Sequence, residues 1–254
     1  MNGMRCAPPS VTSQDATRRS DPVAAASPAA SPSAAAPFRG YFRPEDLNAD
    51  RWVHLVALIL CILGIPFLLE NAGQTGVRAA LFACVVYSMT LVLVFACSAA
   101  LYHIRLRIER RRLRQFDHAA IFLLIAGTQM PFTTVLLNGW WDFAITVLIW
   151  AGALGGAIYK LSRPLSLPGF SAVGYLLAGG TVLVGLVTVL HAADPVALTL
   201  ILLGLAIYVS GAVIRRRRTL RYRNTIWHSM VAAAASCHYA AILHTVTQAS
   251  GGFR

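Results

Sequence analysis

His54, His103, Asp117, His118, Asn224 and His228 are the side chains in this sequence best suited to hold a metal or move a proton, and each stands at the edge of a long apolar run. Asn224 and His228 are spaced i, i+4, so on a helix they share one face. His103 and His228 can each offer a neutral imidazole nitrogen to a metal. Asp117 can ligate, orient a ligand, or act as base on a metal-bound water. Ser98, about one and a half turns before His103, can hydrogen-bond into the same region. Plainer roles stand beside these. A single histidine near a membrane interface is commonly an anchor or a hydrogen-bonded packing residue. Asp117 follows an Arg-rich stretch and suits a helix N-cap or a salt bridge to Arg114 equally well. Ser98 suits bonding back to its own helix. His238 lies about 15 Å beyond His228 by the helical rise and reads as a packing residue.

The elements that must position these groups are membrane spans. The chain is 57% hydrophobic and only 13% charged, with 254 residues, whereas a soluble domain carries about 25% charged residues. A span needs about 20 residues to cross about 30 Å of hydrocarbon. Seven apolar runs qualify: 52–69, 78–102, 117–137, 142–160, 169–190, 195–214 and 225–246. Pro66 and Pro131 fall inside spans and are expected to kink them. With the N-terminus in the cytoplasm, all but Arg78 and Arg254 of the 22 basic residues fall on the inner side, as the positive-inside rule requires. Trp52, Tyr102, Tyr159 and Trp227 then mark the inner interface, and Trp140 with Trp141 the outer one. The expected fold is an all-α membrane protein, a seven-transmembrane helix bundle with cytoplasmic N-terminus and outside C-terminus. Its parts are an Ala/Pro/Ser-rich disordered tail over 1–44, the bundle over 45–247 and a short tail over 248–254. In this topology His54, His103, Asp117, His118, Asn224 and His228 reach one face of the membrane at similar depth.

Other classes fit poorly. The net charge of +12 sits in short arginine blocks between spans, not interleaved with aromatics on a polar surface, so no nucleic-acid partner is expected. The five cysteines include no CxxC pair, which indicates neither a disulfide framework nor a zinc ribbon. The tail lacks the apolar stretch of a secretory signal. No ring of charged residues suggests a pore.

Four stretches together resemble the hemolysin III branch of the progestin and adipoQ receptor (PAQR) family. They are Ser98-Ala-Ala-Leu-Tyr-His103; Asp117-His118 followed by Ile125-Ala-Gly-Thr-Gln-Met-Pro-Phe132; Leu203-Gly-Leu-Ala-Ile-Tyr-Val-Ser-Gly211; and Ile226-Trp-His228 with Cys237-His238. The resemblance covers about residues 45–247. It implies a seven-helix bundle with zinc near the cytoplasmic face. Its three histidine ligands map onto His103, position 224 and His228, and a serine and an aspartate (Ser98 and Asp117 here) complete the site. Related ceramidases suggest a metal-activated water cleaving a lipid amide. Three positions depart from the pattern. Residue 224 is Asn where the family has His, and an amide oxygen is a poor zinc ligand beside imidazole. The family serine four residues before the ligand His is Ala99, with Ser98 one step away. An Asn four residues before His54 is replaced by Asp50. The implied function is a zinc-dependent hydrolase whose partners are membrane lipids, in a bacterial inner membrane. The alternatives are a non-catalytic lipid-binding or sensing protein that lost the metal, and a pore-forming cytolysin.

Overall fold

Six long helices account for nearly all of the described residues. The computed structural model describes residues 44–103, 107–137, 139–162, 194–217, 219–220 and 222–251; the side chains of 44–47, 102–111 and 142 lie outside this description. The helices are α1 (Pro44–Gln74), α2 (Arg78–His103), α3 (Arg107–Leu136), α4 (Trp140–Ser162), α5 (Pro195–Arg216) and α6 (Arg223–Gly251). No strand occurs among the described residues. All six carry a segment long and apolar enough to cross a membrane. The physical reason is that lipid offers backbone N–H and C=O groups no partner, so a segment immersed in it must satisfy them within itself. The candidate span 169–190 and the tail 1–43 lie outside the described residues.

Helix ends differ from the apolar runs in one consistent way. α1 begins eight residues before the run at 52, and α3 begins ten residues before the run at 117. Hydropathy marks where lipid begins, not where a helix begins. Arg, Glu and Leu are good helix formers, so the arginine-rich stretch before Asp117 simply continues the helix into water. Asp117 is therefore interior to α3 and cannot be its N-cap.

Contacts between named residues fix the direction of each helix. Ser98 meets Asp117 and Thr90 lies against Gly127, so α2 and α3 run antiparallel. Phe122 faces Gly156 while Thr133 bonds Thr146 at 2.8 Å, so α3 and α4 are antiparallel. Asp50 meets His228 and Gly64 meets Tyr239, so α1 and α6 run parallel. Asp194 bonds His244 at one end and Arg215 lies over the Trp227 ring at the other, so α5 and α6 are antiparallel. The starts of α1, α3 and α6 and the end of α2 therefore share one end of the bundle.

Packing uses small residues, as expected where lipid is as apolar as a leucine side chain and cannot drive helices together. A side chain at Gly127 would collide with Thr90, one at Gly156 with the Phe122 ring, and one at Gly204 with the His238 ring. One apolar core joins α1, α2, α3, α5 and α6 around Tyr87, Leu68, Ile242 and Val246. A second links α3 and α4 through Phe122, Ile145 and Ile149. Ile62, Leu63, Met89 and Ile158 stay exposed, which suits a surface solvated by acyl chains. Trp140 and Trp141 are exposed at the start of α4, where amphipathic rings mark a membrane interface. The four cysteines among the described residues are unbridged.

Candidate functional site

The site is built from buried polar groups at the shared end of α1, α2, α3 and α6. Asp50 on α1 is 0% exposed and His54, one turn further, is 2% exposed. His54 Nδ1 lies 2.7 Å from the Asp50 main-chain oxygen. A carbonyl only accepts, so His54 carries its hydrogen on Nδ1. The Asp50 carboxylate reaches across to α6, with Oδ1 3.3 Å from His228 Nδ1. The two imidazoles meet edge to face, ring centroids 4.6 Å apart. Asp50 thus touches both rings, one through its main chain and one through its side chain.

A second polar pair joins α2 to α3. Ser98 Oγ donates a hydrogen bond to Asp117 Oδ1. Several other serines and threonines of the bundle bond within their own helix, although Thr133 also meets Thr146 across α3 and α4. Ser88 donates to the Cys84 carbonyl, Thr128 to Leu124 and Thr245 to Ala241, each satisfying itself on its own helix. Ser98 instead satisfies a carboxylate on a neighbouring helix. The Asp117 carboxylate also lies within electrostatic reach of His54, which brings the two pairs into one polar region.

The other residues singled out from sequence fall as follows. Asn224 is half-buried one turn before His228 on α6. His103 ends α2, and its side chain lies outside the described residues. His118 Nδ1 is buried without a hydrogen-bond partner among the described residues. His238 sits away from the site, with Nε2 3.3 Å from the Ile201 carbonyl oxygen and its ring beside Tyr208. His244 pairs with Asp194 at the opposite end of the bundle.

Sequence reasoning treated Asp50 only as a departure from a family pattern. The signal that could have found it is spacing: Asp50 and His54 stand i, i+4 on α1 as Asn224 and His228 do on α6. Both pairs fall near the starts of parallel helices.

As for a metal, the His228–Asp50 contact has the form usual for a metal-bound imidazole, whose second nitrogen donates to a carboxylate. Among the described residues, no three His, Cys, Asp or Glu side chains converge as a metal-binding group. A further donor such as His103 would be needed to hold one. The nitrogen and oxygen donors themselves suit zinc.

An apolar cavity of about 410 Å³ opens beside this region, between α1, α2 and α6. Ala57, Cys61, Gly64, Phe95, Ala235 and Tyr239 are among its walls. Ala57 is one turn beyond His54, and Phe95 one turn before Ser98, so the cavity begins where the polar groups end. Tyr239 Oη donates to the Gly64 carbonyl at 2.6 Å and ties α6 to α1 along it.

The chain is similar to known proteins over most of its length. The chain is 27% identical over 205 residues to Hemolysin-3 of Bacillus cereus, covering 81% of this chain and 93% of that protein. It is 25% identical over 202 residues to a Hemolysin-3 homolog of Bacillus subtilis, covering 80% and 95%. Residues 42–239, which contain every polar group of the site, match the family model described as haemolysin-III related, and the chain belongs to that family of multi-pass membrane proteins.

Proposed function

We propose that this protein is a zinc-dependent hydrolase acting on a lipid amide at the cytoplasmic face of a bacterial inner membrane. The observation that carries the reading is the Ser98–Asp117 hydrogen bond next to the Asp50–His54–His228 cluster. A carboxylate held by a neighbouring hydroxyl in a mostly buried site is poised to orient or deprotonate a water. His103 and His228 would hold the zinc, with Asn224 at the third place. The metal would supply Lewis acidity and a bound water of lowered pKa. Asp117 would serve as the acceptor for a proton at the site, and Ser98, which donates to its Oδ1, would keep the carboxylate aimed. The apolar cavity beginning one turn from His54 is of the size of small-ligand sites, which run from about 300 to 1,000 Å³, and it suits a lipid tail.

Seven spans with the N-terminus inside belong to the same reading. Ser162 ends α4 near the site end, and Asp194 precedes α5 at the opposite end. The chain between them carries the apolar run 169–190. The arginines before α6 and in the first turns of α3 support a cytoplasmic site end by the positive-inside rule.

Asn224 favours a second reading, a non-catalytic protein that binds or senses lipid with a degraded metal site. Elemental analysis of the detergent-purified protein separates the two, run beside a His103→Ala/His228→Ala double variant. Near-stoichiometric zinc that disappears in the variant supports the hydrolase and justifies assays on lipid amides. No metal after zinc loading overturns it in favour of lipid binding. A pore-forming cytolysin, the role suggested by the family's name, finds no ring of charged residues in support.

A further inference from the structure

Asp50 is a fully buried carboxylate with a binding partner on each side, and the proposed chemistry so far uses it only as a member of its cluster. Burying a carboxylate among apolar helices is costly unless the charge is hydrogen-bonded. The charge must therefore do something a neutral side chain would not.

Its contacts show what that is. An imidazole has two ring nitrogens, and the hydrogen bond made by one decides which tautomer is present. His54 Nδ1 faces the Asp50 carbonyl oxygen at 2.7 Å, and His228 Nδ1 faces the Asp50 carboxylate at 3.3 Å. Both acceptors call for hydrogen on Nδ1. In the neutral imidazole the lone pair then stays on Nε2. We infer that Asp50 is the positioning residue of this site: its carboxylate sets His228 in the tautomer that presents Nε2 to an electron-poor centre, while its main-chain carbonyl does the same for His54. The two acceptors differ in kind. The carbonyl belongs to the helix and survives any substitution at position 50. The carboxylate does not. His54 is thus held by the fold, and His228 by the side chain of Asp50.

The inference deepens the zinc reading, and it is testable apart from it. Protein labelled with ¹⁵N-histidine in lipid nanodiscs reports by NMR which ring nitrogen of each residue carries hydrogen. His54→Gln and His228→Gln variants assign the two signals. The wild type is expected to show both rings protonated on Nδ1. In Asp50→Leu, His228 is expected to move to hydrogen on Nε2, while His54 stays as it was. Unchanged His228 in that variant, or wild-type His228 with hydrogen on Nε2 alone, overturns the inference. If Asp50→Leu also disturbs His54, the bundle has been damaged, and the isosteric Asp50→Asn decides instead. An amide that still accepts but has lost the charge should leave His228 as a mixture of tautomers, and an unchanged single tautomer refutes the role of the charge. Zinc titration of the same samples tests the other reading separately. Positioning carboxylates of this kind typically govern metal affinity by about 10- to 100-fold, so Asp50→Asn should weaken zinc binding in that range. Zinc absent from the wild type with tautomers as stated removes the metal and keeps Asp50's role. Zinc bound tightly and indifferent to Asp50 does the reverse.

Discussion

Ser98 and Ser88 offer a matched comparison, because they share a residue type, a helix and a burial. Ser98 is 6% exposed and Ser88 is 5% exposed, and both lie on α2. They differ in partner. Ser88 donates to the Cys84 carbonyl of its own helix, which already has a backbone partner in the helical ladder. Ser98 donates to a carboxylate on α3. Replacing either with Ala improves helix propensity by about 0.5 kcal/mol, a gain that cancels between them. Losing the back-bond at 88 should cost almost nothing, since the carbonyl keeps its helical bond. Losing the bond at 98 leaves a half-buried carboxylate short of a donor. Bonds to charged groups contribute about 1.5–3 kcal/mol in proteins, while interhelical bonds in membranes average about 0.6 and reach about 1.7 kcal/mol. A charged acceptor inside a membrane bundle should fall where these ranges meet, near 1.5 kcal/mol, or about a tenfold change in the unfolding equilibrium. The assay is reversible unfolding in mixed micelles, comparing Ser98→Ala with Ser88→Ala, and then Ser98→Ala/Asp117→Asn to isolate the coupling. Equal costs at 98 and 88, within about 0.5 kcal/mol, would refute the argument that the Ser98–Asp117 bond ties α2 to α3 and holds the site together.

Gly156→Ala should destabilise the bundle by about 1–3 kcal/mol, the usual cost of overpacking, because its new methyl meets the buried Phe122 ring. Gly155→Ala, with open space around it, should gain up to about 1 kcal/mol from helix propensity; thermal melts of the pair check the contrast. Asp194 caps α5, and the Val196 amide, aided by His244, holds its carboxyl below the ordinary value of 3.8. A depressed pKa contributes stability that is present above the unfolded value and lost as pH falls through the folded one. Wild-type melting temperature should therefore drop below about pH 4 more steeply than that of Asp194→Ala, and parallel acid profiles would remove the cap from the account. Asn224→His should raise zinc affinity by completing a histidine triad, with no gain on metal titration counting against the mapping of that position. A periplasm-active reporter fused at Arg254 should be active, and an inactive fusion would reverse the proposed orientation.

The elements of this fold were legible in the sequence because lipid imposes a simple rule. An apolar run of about 20 residues must become a helix that satisfies its own backbone, and the six runs that fall among the described residues appear as helices at their expected places. Helix ends were less legible, because arginine and glutamate propagate a helix as well as leucine does. That is why α3 starts at Arg107 and Asp117 falls in its interior. The family, too, could be read from the sequence, since its motifs are contiguous stretches. The pairings could not. Whether Ser98 bonds its own helix or Asp117 depends on the approach of α3, set at Gly127 against Thr90. Asp50 and His228 lie at opposite ends of the chain, and only the parallel packing of α1 on α6 brings a carboxylate to an imidazole. The sequence by itself determined the spans and the residue types at their ends; the tertiary structure decided which of those residues touch, because contact depends on helix rotation and close approach, which hydropathy does not encode.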